Sequence, residues 1–461
     1  MTIGLIALAR PTFDVAFAEQ QFAAMRQQMA DCGQATIGGE QLLFDEQETR
    51  AAIGELAQAN ISQVWILQVT FTDAAMTCEV AEKIGAPLVI WAIPEPRLGG
   101  RLRLNSFCGL NLASHALARR GKSFSAIYAD PASGVAEQLK AAARGELVVQ
   151  PLKGSSAGAY ASAAGQALVA QVQDKRIARI GDHPAGFDTC RFEQKDIHAL
   201  ARTTVQDIDL QDLFNQAAHA SPDEVRRIRA RAEADLDGLD QVNQAQLDKS
   251  LRLKAALDHM QVDGQFDAFA IRCWPETFTE YGGAVCGAVS MMGEQKKPCA
   301  CEADVYGALT QLLAQEAAAE PVFLVDLVDL DVADGTGVVW HCGQAPISMK
   351  DSVEQATATI HTNRKMPLLY EFPLKAGRVT LCRLSQARGE TTLVLAGGEM
   401  LARPMAFTGT SGVVQFDTDT ETVLANVLAS GLEHHMALAY GDHRPLLRSA
   451  AAALDIPVLE L

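Results

Sequence analysis

No apolar run in this sequence reaches the roughly 18 residues that crossing a membrane takes, so no membrane span is expected. Positive charge is scarce. The 461 residues hold 39 Lys and Arg against 56 Asp and Glu, a net charge of −17. That balance argues against nucleic acid and anionic membranes as partners. The ten cysteines show no common zinc pattern. Cys299 and Cys301 are too close together, and no second Cys/His cluster lies nearby. Cys190, Cys273, Cys286 and Cys382 sit inside apolar stretches and read as reduced core thiols of a cytoplasmic protein. The first ten residues lack a basic segment and a cleavage site, so they read as a first strand, not a signal peptide. P-loop, G-x-G-x-x-G and H-E-x-x-H motifs are absent, as are internal repeats and low-complexity tracts.

What is present is a globular composition, 48% hydrophobic and 21% charged. The length suggests about three domains at roughly 150 residues each. Apolar runs at 3–9, 63–69, 87–91 and 125–128 alternate with segments of helical spacing, and a second alternation starts at Arg176. This predicts doubly wound parallel sheets. From about residue 350 the texture becomes β runs separated by Gly-rich turns. The reading is an α/β chain of two doubly wound parallel-sheet domains followed by a smaller β-rich C-terminal domain. The boundaries are 1–172, 173–350 with the candidate metal carboxylates, and 351–461 with a late histidine.

Three acid and imidazole sites follow strand-like runs: Cys299-Ala300-Cys301-Glu302-Ala303-Asp304, Val322-Phe323-Leu324-Val325-Asp326, and Glu433-His434-His435. Carboxylates at buried strand ends are costly to desolvate unless paired or bound to a cation. Two carboxylates and an imidazole in one cleft make a site for a hard-to-borderline divalent ion. Mn2+ is the expectation, with Mg2+ or Co2+ as alternatives. One strand–helix–strand unit separates Glu302 from Asp326, which predicts neighbouring strand ends in one sheet. Asp304 competes with Glu302 but reads as a first-turn helix acid, and Asp329 and Asp331 compete with Asp326. The bland alternative has Glu302 capping a helix and Asp326 solvated in a loop. If the late segment is extended, only one of His434 and His435 faces the site, and the other supports it. His341, after Val338-Val339-Trp340, is either a substrate contact or a core histidine. Trp274-Pro275-Glu276 is either a pocket wall with a polar contact or a core Trp beside a helix cap.

Glu302, Asp326 and the late histidine resemble the metal set of the L-fucose isomerase family. Arg10-Pro11-Thr12-Phe13-Asp14 after the first strand is similar to that family's opening motif, in which the arginine lines the active site. The stretch Ala429–His435 and the ending Asp455-Ile456-Pro457-Val458 resemble the tail of the related L-arabinose isomerases. The resemblance implies His435 as the ligand and His341 as a further active-site histidine. It also implies a homo-oligomer, hexameric on the family pattern, with shared active sites in which Arg10 acts on a neighbouring subunit. The chain is shorter than a typical L-fucose isomerase, which leaves the sugar open.

The function expected is a metal-dependent aldose–ketose isomerase of a free sugar or sugar derivative, working through an enediolate. Glu302 and Asp326 are the acid–base pair and, with His435, the metal ligands. Arg10, His341, Trp274, Glu276 and His434 are expected to contact substrate. The alternatives are a non-catalytic two-lobed sugar-binding or sensor protein and a metal-dependent aldolase or dehydratase. Arg10, Arg97, Arg101 and Arg103 in nearby loops leave room for an anionic sugar, an acid or a sulfonate.

Overall fold

The computed structural model describes residues 2–461. Its first sheet has five strands in the order Ala35–Gly38, Thr2–Leu8, Gln63–Gln68, Leu88–Ala92 and Phe124–Tyr128, all parallel. The inner strands are unbroken apolar runs because helices cover both faces and leave no solvated side. The winding reverses between Thr2–Leu8 and Gln63–Gln68. At such a reversal the carboxyl ends of two strands open a crevice suited to ligands. Arg10 and Phe71 emerge there.

A second parallel sheet follows, in the order Thr204–Ile208, Arg176–Ile180, Ala268–Ile271 and Cys299–Cys301. The third sheet is mixed. Six of its strands close into an antiparallel barrel: Thr410–Phe416, Thr336–His341, Phe323–Asp331, His435–Tyr440, Gly377–Ser385 and Thr392–Met400, the last pairing back onto the first. The fold class is thus two parallel-sheet α/β parts with a β-rich C-terminal part.

The placement of Asp326 differs from the expectation. Phe323–Asp331 does not join Cys299–Cys301 in a parallel sheet; it pairs antiparallel with Thr336–His341 and His435–Tyr440. The cause is a tight turn. The Asp331 carboxylate accepts the N–H groups of Ala333 and Asp334 at 2.9 and 3.0 Å, and Gly335 takes a left-handed φ of 68°. A turn this short makes antiparallel neighbours, whereas a parallel neighbour needs a long crossover. The hairpin pulls Asp326 into the barrel, beside His435 in the register.

The long polar stretch near 221–261 is two helices, Pro222–Asp235 and Gln244–Gly264. The first begins with a reciprocal capping box between Ser221 and Glu224. Helix Ser106–Arg119 is buried along most of its length and packs between the five-stranded sheet and Phe323–Asp331. No helix among the described residues is long and apolar enough to cross a membrane.

A buried polar knot fixes this packing. Asp329 accepts from Arg97 Nε at 2.6 Å and from the Tyr128 hydroxyl at 2.5 Å, while Arg97 Nη1 donates to Thr336 at 2.7 Å. Burial alone pushes Asp329 toward its neutral form, and Arg97 and Tyr128 oppose that. Removing the cation strands the carboxylate. Arg97→Leu is therefore expected to destabilise the fold by about 3–5 kcal/mol, read as a fall in the urea unfolding midpoint. An unchanged midpoint would show that the knot does not hold the units together.

Candidate metal centre and substrate cavity

The three sheets each deliver part of one site. Glu302 follows Cys299–Cys301 in an unusual backbone: Glu302 and Ala303 both adopt left-handed φ, 60° and 57°. Neither is glycine, and such a conformation costs on the order of 1–3 kcal/mol per residue. The turn is held by Ala303 N–H to Ile271 O at 3.0 Å and Asp304 N–H to Cys301 O at 3.1 Å. It aims Glu302 into the cavity and leaves Asp304 to cap the helix Val305–Ala318, accepting the Gly307 N–H at 2.8 Å. Asp304 is thus the cap itself, one position earlier than a first-turn acid.

Both Glu302 oxygens are engaged. Trp274 Nε1 donates to Oε1 at 2.9 Å, and His434 Nε2 donates to Oε2 at 2.8 Å. Burial favours the neutral acid, but the bond and charge of His434, the charge of His435 and the Trp274 bond outweigh it and draw the pKa down to about 2. Burial disfavours protonated His434, yet Glu302, Asp326 and Asp304 raise its pKa.

His435 lies between all the acids. Its Nδ1 meets Asp304 Oδ2 at 2.9 Å, and its Nε2 stands 3.5 Å from Asp326 Oδ1 and 3.8 Å from Glu302 Oε2. Asp304 is held well below the usual carboxylate range: burial opposes this, and the buried Arg383 and His435 overcome it. Asp326 Oδ1 is buried and has no hydrogen-bond donor. His341 stacks against His435 with ring centroids 5.6 Å apart. Its Nδ1 accepts the Cys342 N–H at 2.9 Å, and its buried Nε2 has no partner. Three groups of side chains here could hold a metal ion: Asp326, His341 and His435; Glu302, His434 and His435; and Cys190, Asp304 and His435. His435 belongs to all three. Glu302 and Asp326 fall in different groups and meet through His435, whose Nε2 faces a carboxylate oxygen of each. Donors of this kind, with no N–H on Asp326 Oδ1, fit a divalent cation of hard to borderline character.

The cavity beside these groups is walled by Trp274, Phe71, Cys301 and Cys342 and rimmed by Arg10, His361 and Arg364. Arg10 reaches it from its own chain, ion-paired with Asp73 and lying over the rings of Phe71 and Trp274 at 5.3 and 5.8 Å. Within one chain, Arg10 thus lines the same cavity as Glu302 and Asp326. Glu276 is not brought to the cavity. Arg272, four residues earlier and just past the strand Ala268–Ile271, takes both its oxygens at 2.6 and 2.7 Å. Arg97 and Arg103 are likewise committed elsewhere, to Asp329 and Asp14.

Sequence reasoning missed Arg364, His361 and Arg383. The Arg364 guanidinium lies 5.6 Å from the Trp274 ring centroid, and no carboxylate pairs with it among the described residues. Burial and the nearby Arg10 lower its pKa. His361 Nδ1 accepts the N–H groups of Asn363 and Arg364 at 3.2 and 3.3 Å, and burial draws its pKa down to about 3. The neutral ring then carries its proton on Nε2. The polar string His361-Thr362-Asn363-Arg364-Lys365 between β runs was the only sequence signal. A larger cavity of about 590 Å³ lies elsewhere, lined by Lys254, His259 and Tyr370. Its charges are largely paired internally, Lys254 with Asp258 and His259 with Glu224.

Comparisons with known proteins agree on one family. Residues 4–149 match the model of the fucose/sulfoquinovose isomerase N-terminal domain, and residues 339–461 match that of the L-fucose isomerase C-terminal domain. A sulfoquinovose isomerase of Priestia megaterium is 29% identical over 96% of this chain and 95% of its own. Another, from a Clostridium species, is 28% identical over 98% of both chains. Among solved structures, a periplasmic solute-binding protein from Actinobacillus succinogenes with bound D-allose is 13% identical, covering 68% of this chain and 91% of that one. Its TM-score of 0.20 is too low to bear on fold or function. The protein is an intramolecular oxidoreductase, an aldose–ketose isomerase of a sugar or sugar derivative. The chain belongs to the L-fucose isomerase family.

The two adjacent histidines make a sharp contrast. His435→Ala is expected to abolish metal binding. His434→Ala is expected to keep the metal with an affinity loss of about 10–100-fold, the usual effect of removing a partner of a ligand. Bound Mn2+ per chain, measured after dialysis, checks both. The reverse pattern would make His434 the ligand.

Proposed function

We propose that this isomerase acts on a sulfonated aldose of the sulfoquinovose type, with Mn2+ as the preferred ion. Arg364 carries the reading: a half-buried guanidinium with no carboxylate partner, over Trp274, on the rim of the cavity that holds Glu302 and Asp326. Arg10 and the Nε2–H of His361 add donors to the same rim. A rim of donors next to a hydrophobic ring suits a sulfonate, whose three oxygens only accept. Relatives matched along nearly their whole length are sulfoquinovose isomerases.

Isomerisation moves the C2 proton of the aldose to C1 and the O2 hydroxyl proton to O1, so that the carbonyl shifts from C1 to C2 through an enediolate. When bound, a divalent cation supplies Lewis-acid stabilisation of oxyanion charge. Glu302, Asp326 and His435 would hold it. Of the two carboxylates in the acid–base pair, Glu302 is fixed in its ionised form by Trp274 and His434. Asp326 Oδ1, with no donor on it, would be left to the cation, and the other Asp326 oxygen takes the C2 proton and returns it to C1. His341 accepts at Nδ1, which leaves an Nε2–H to donate to a substrate oxygen. Trp274 and the phenylalanines beside it exclude water from the exchanging proton. The same reading carries a homo-oligomer, hexameric on the family pattern, in the cytoplasm.

Two measurements test this. EDTA is expected to remove sulfoquinovose isomerisation, and Mn2+ to restore it better than Zn2+; full activity in a chelated preparation would sink the cation reading. Arg364→Met is expected to lower the ratio of kcat/KM for sulfoquinovose over D-glucose by about 10–100-fold, the worth of one or two charge-assisted hydrogen bonds. An unchanged ratio would show that Arg364 does not read the anion.

A further inference from the structure

Beyond the candidate ligands lies a fully buried ionic chain that the reaction does not itself require. Asp304 and His435 are each 1% exposed at the side chain, Arg383 0% and Glu433 2%. The Asp304 carboxylate is met by four N–H groups. Arg383 Nη1 lies 2.5 Å from Oδ2 and Nη2 3.0 Å from Oδ1, Gly307 N–H donates to Oδ1 at 2.8 Å, and His435 Nδ1 is 2.9 Å from Oδ2. Arg383 is held in turn by Thr189 O at 3.3 Å and faces Glu433, whose Oε2 is 3.8 Å from its Nε.

We propose that Asp304 is the positioning residue of this site, holding His435 with its proton on Nδ1 so that the Nε2 lone pair faces Glu302 and Asp326, and that Arg383 locks Asp304 in that role. Gly307 and Arg383 supply only donors, so the oxygens facing them can only accept. The remaining contact on Oδ2 must then receive a proton from His435. A neutral imidazole protonated on Nδ1 has its lone pair on Nε2, 3.5 Å from Asp326 Oδ1 and 3.8 Å from Glu302 Oε2. With the opposite tautomer a proton would point at the two carboxylates, and no ligand nitrogen would face them. A carboxylate orienting a ligating imidazole in this way is a recurrent support for metal sites. The assignment rests on reading His435 as a cation ligand.

The test uses the isosteric change Asp304→Asn. At the Oδ1 position an amide NH2 would confront two fixed donors, Gly307 N–H and Arg383 Nη2. At the Oδ2 position it confronts one fixed donor and His435, which can change tautomer and accept. The amide nitrogen is therefore expected at Oδ2, forcing the His435 proton to Nε2. The measurement is long-range 1H–15N correlation of 15N-histidine-labelled, metal-free protein in alkaline buffer. His435 is assigned by its disappearance in His435→Gln. Wild-type His435 should be protonated on Nδ1, and in Asp304→Asn on Nε2, with Mn2+ affinity down about 10–100-fold and an unchanged circular dichroism spectrum. Wild-type His435 found on Nε2, or an Asp304→Asn protein that keeps the proton on Nδ1, overturns the proposal. The wild-type spectrum decides alone should Asp304→Asn fail to fold. A wild type with Nδ1–H but no affinity for Mn2+ supports the positioning role and sinks only the cation reading.

Discussion

Three carboxylates stripped of bulk water around one imidazole are the constraint on which this structure turns. Glu302, Asp304 and Asp326 all lie within 4 Å of a His435 ring nitrogen. An isolated buried carboxylate is so costly that it takes up a proton instead. The protein meets that cost differently at each acid. Asp304 is given a guanidinium and a helix N-terminus, and Glu302 is given an indole N–H and an imidazole. Asp326 Oδ1 is given nothing. Other buried side-chain atoms also lack a partner, Glu433 Oε2 among them, but the bare Asp326 oxygen stands 3.5 Å from the His435 Nε2, and that placement marks where the site expects something from outside.

That arrangement explains why three sheets are needed. A single parallel sheet offers adjacent strand ends, but these lie on one edge and point the same way. Here Glu302 comes from the edge strand of the four-stranded sheet, while Asp326 and His435 face each other across the barrel ladder. Arg10 comes from the winding reversal of the five-stranded sheet. The parts are held in place by buried ion pairs that cross between units, Arg97 with Asp329 and Arg383 with Asp304. Such pairs add little net stability compared with apolar packing, but breaking one is costly. Their effect is to fix registry between units that hydrophobic contact alone would let slide.

Much of this was legible in the sequence, and the residue types show why. Apolar runs alternating with helical spacing gave the parallel sheets, and Gly-separated β runs gave the C-terminal part. Acids at the ends of apolar runs stand out because burial makes them expensive, so Glu302 and Asp326 could be singled out without any contact information. The barrel membership of Phe323–Asp331 was hidden, because it depends on the four-residue turn 332–335 and on a pairing with residues more than a hundred positions away. Arg383 was invisible for a related reason: inside Leu381-Cys382-Arg383-Leu384 it reads as a polar face of an edge strand, yet the structure buries it completely. Glu276 misled in the opposite direction. An acid after a strand-end Trp-Pro suggests a pocket, but Arg272, four residues earlier in the chain, satisfies it first. Local neighbours decide such cases, and they act before any ligand can.

The cavity that results is electrically polarised. One end carries Glu302 and Asp326, and the rim carries Arg10 and Arg364. Trp274 stands between the two: its indole N–H donates to Glu302, and its ring lies under both guanidiniums. The ring face is negative and attracts cations, while the N–H edge is positive and attracts the carboxylate. One side chain therefore holds both ends of the cavity in register. A substrate with an anionic tail and a neutral carbonyl head can lie in that field in one direction only, head toward the carboxylates and any cation they hold, tail toward the arginines. A neutral sugar has no such preference and gains nothing from the guanidiniums. On the proposed function, orientation and substrate choice follow from the same charge separation, with Trp274 between its poles.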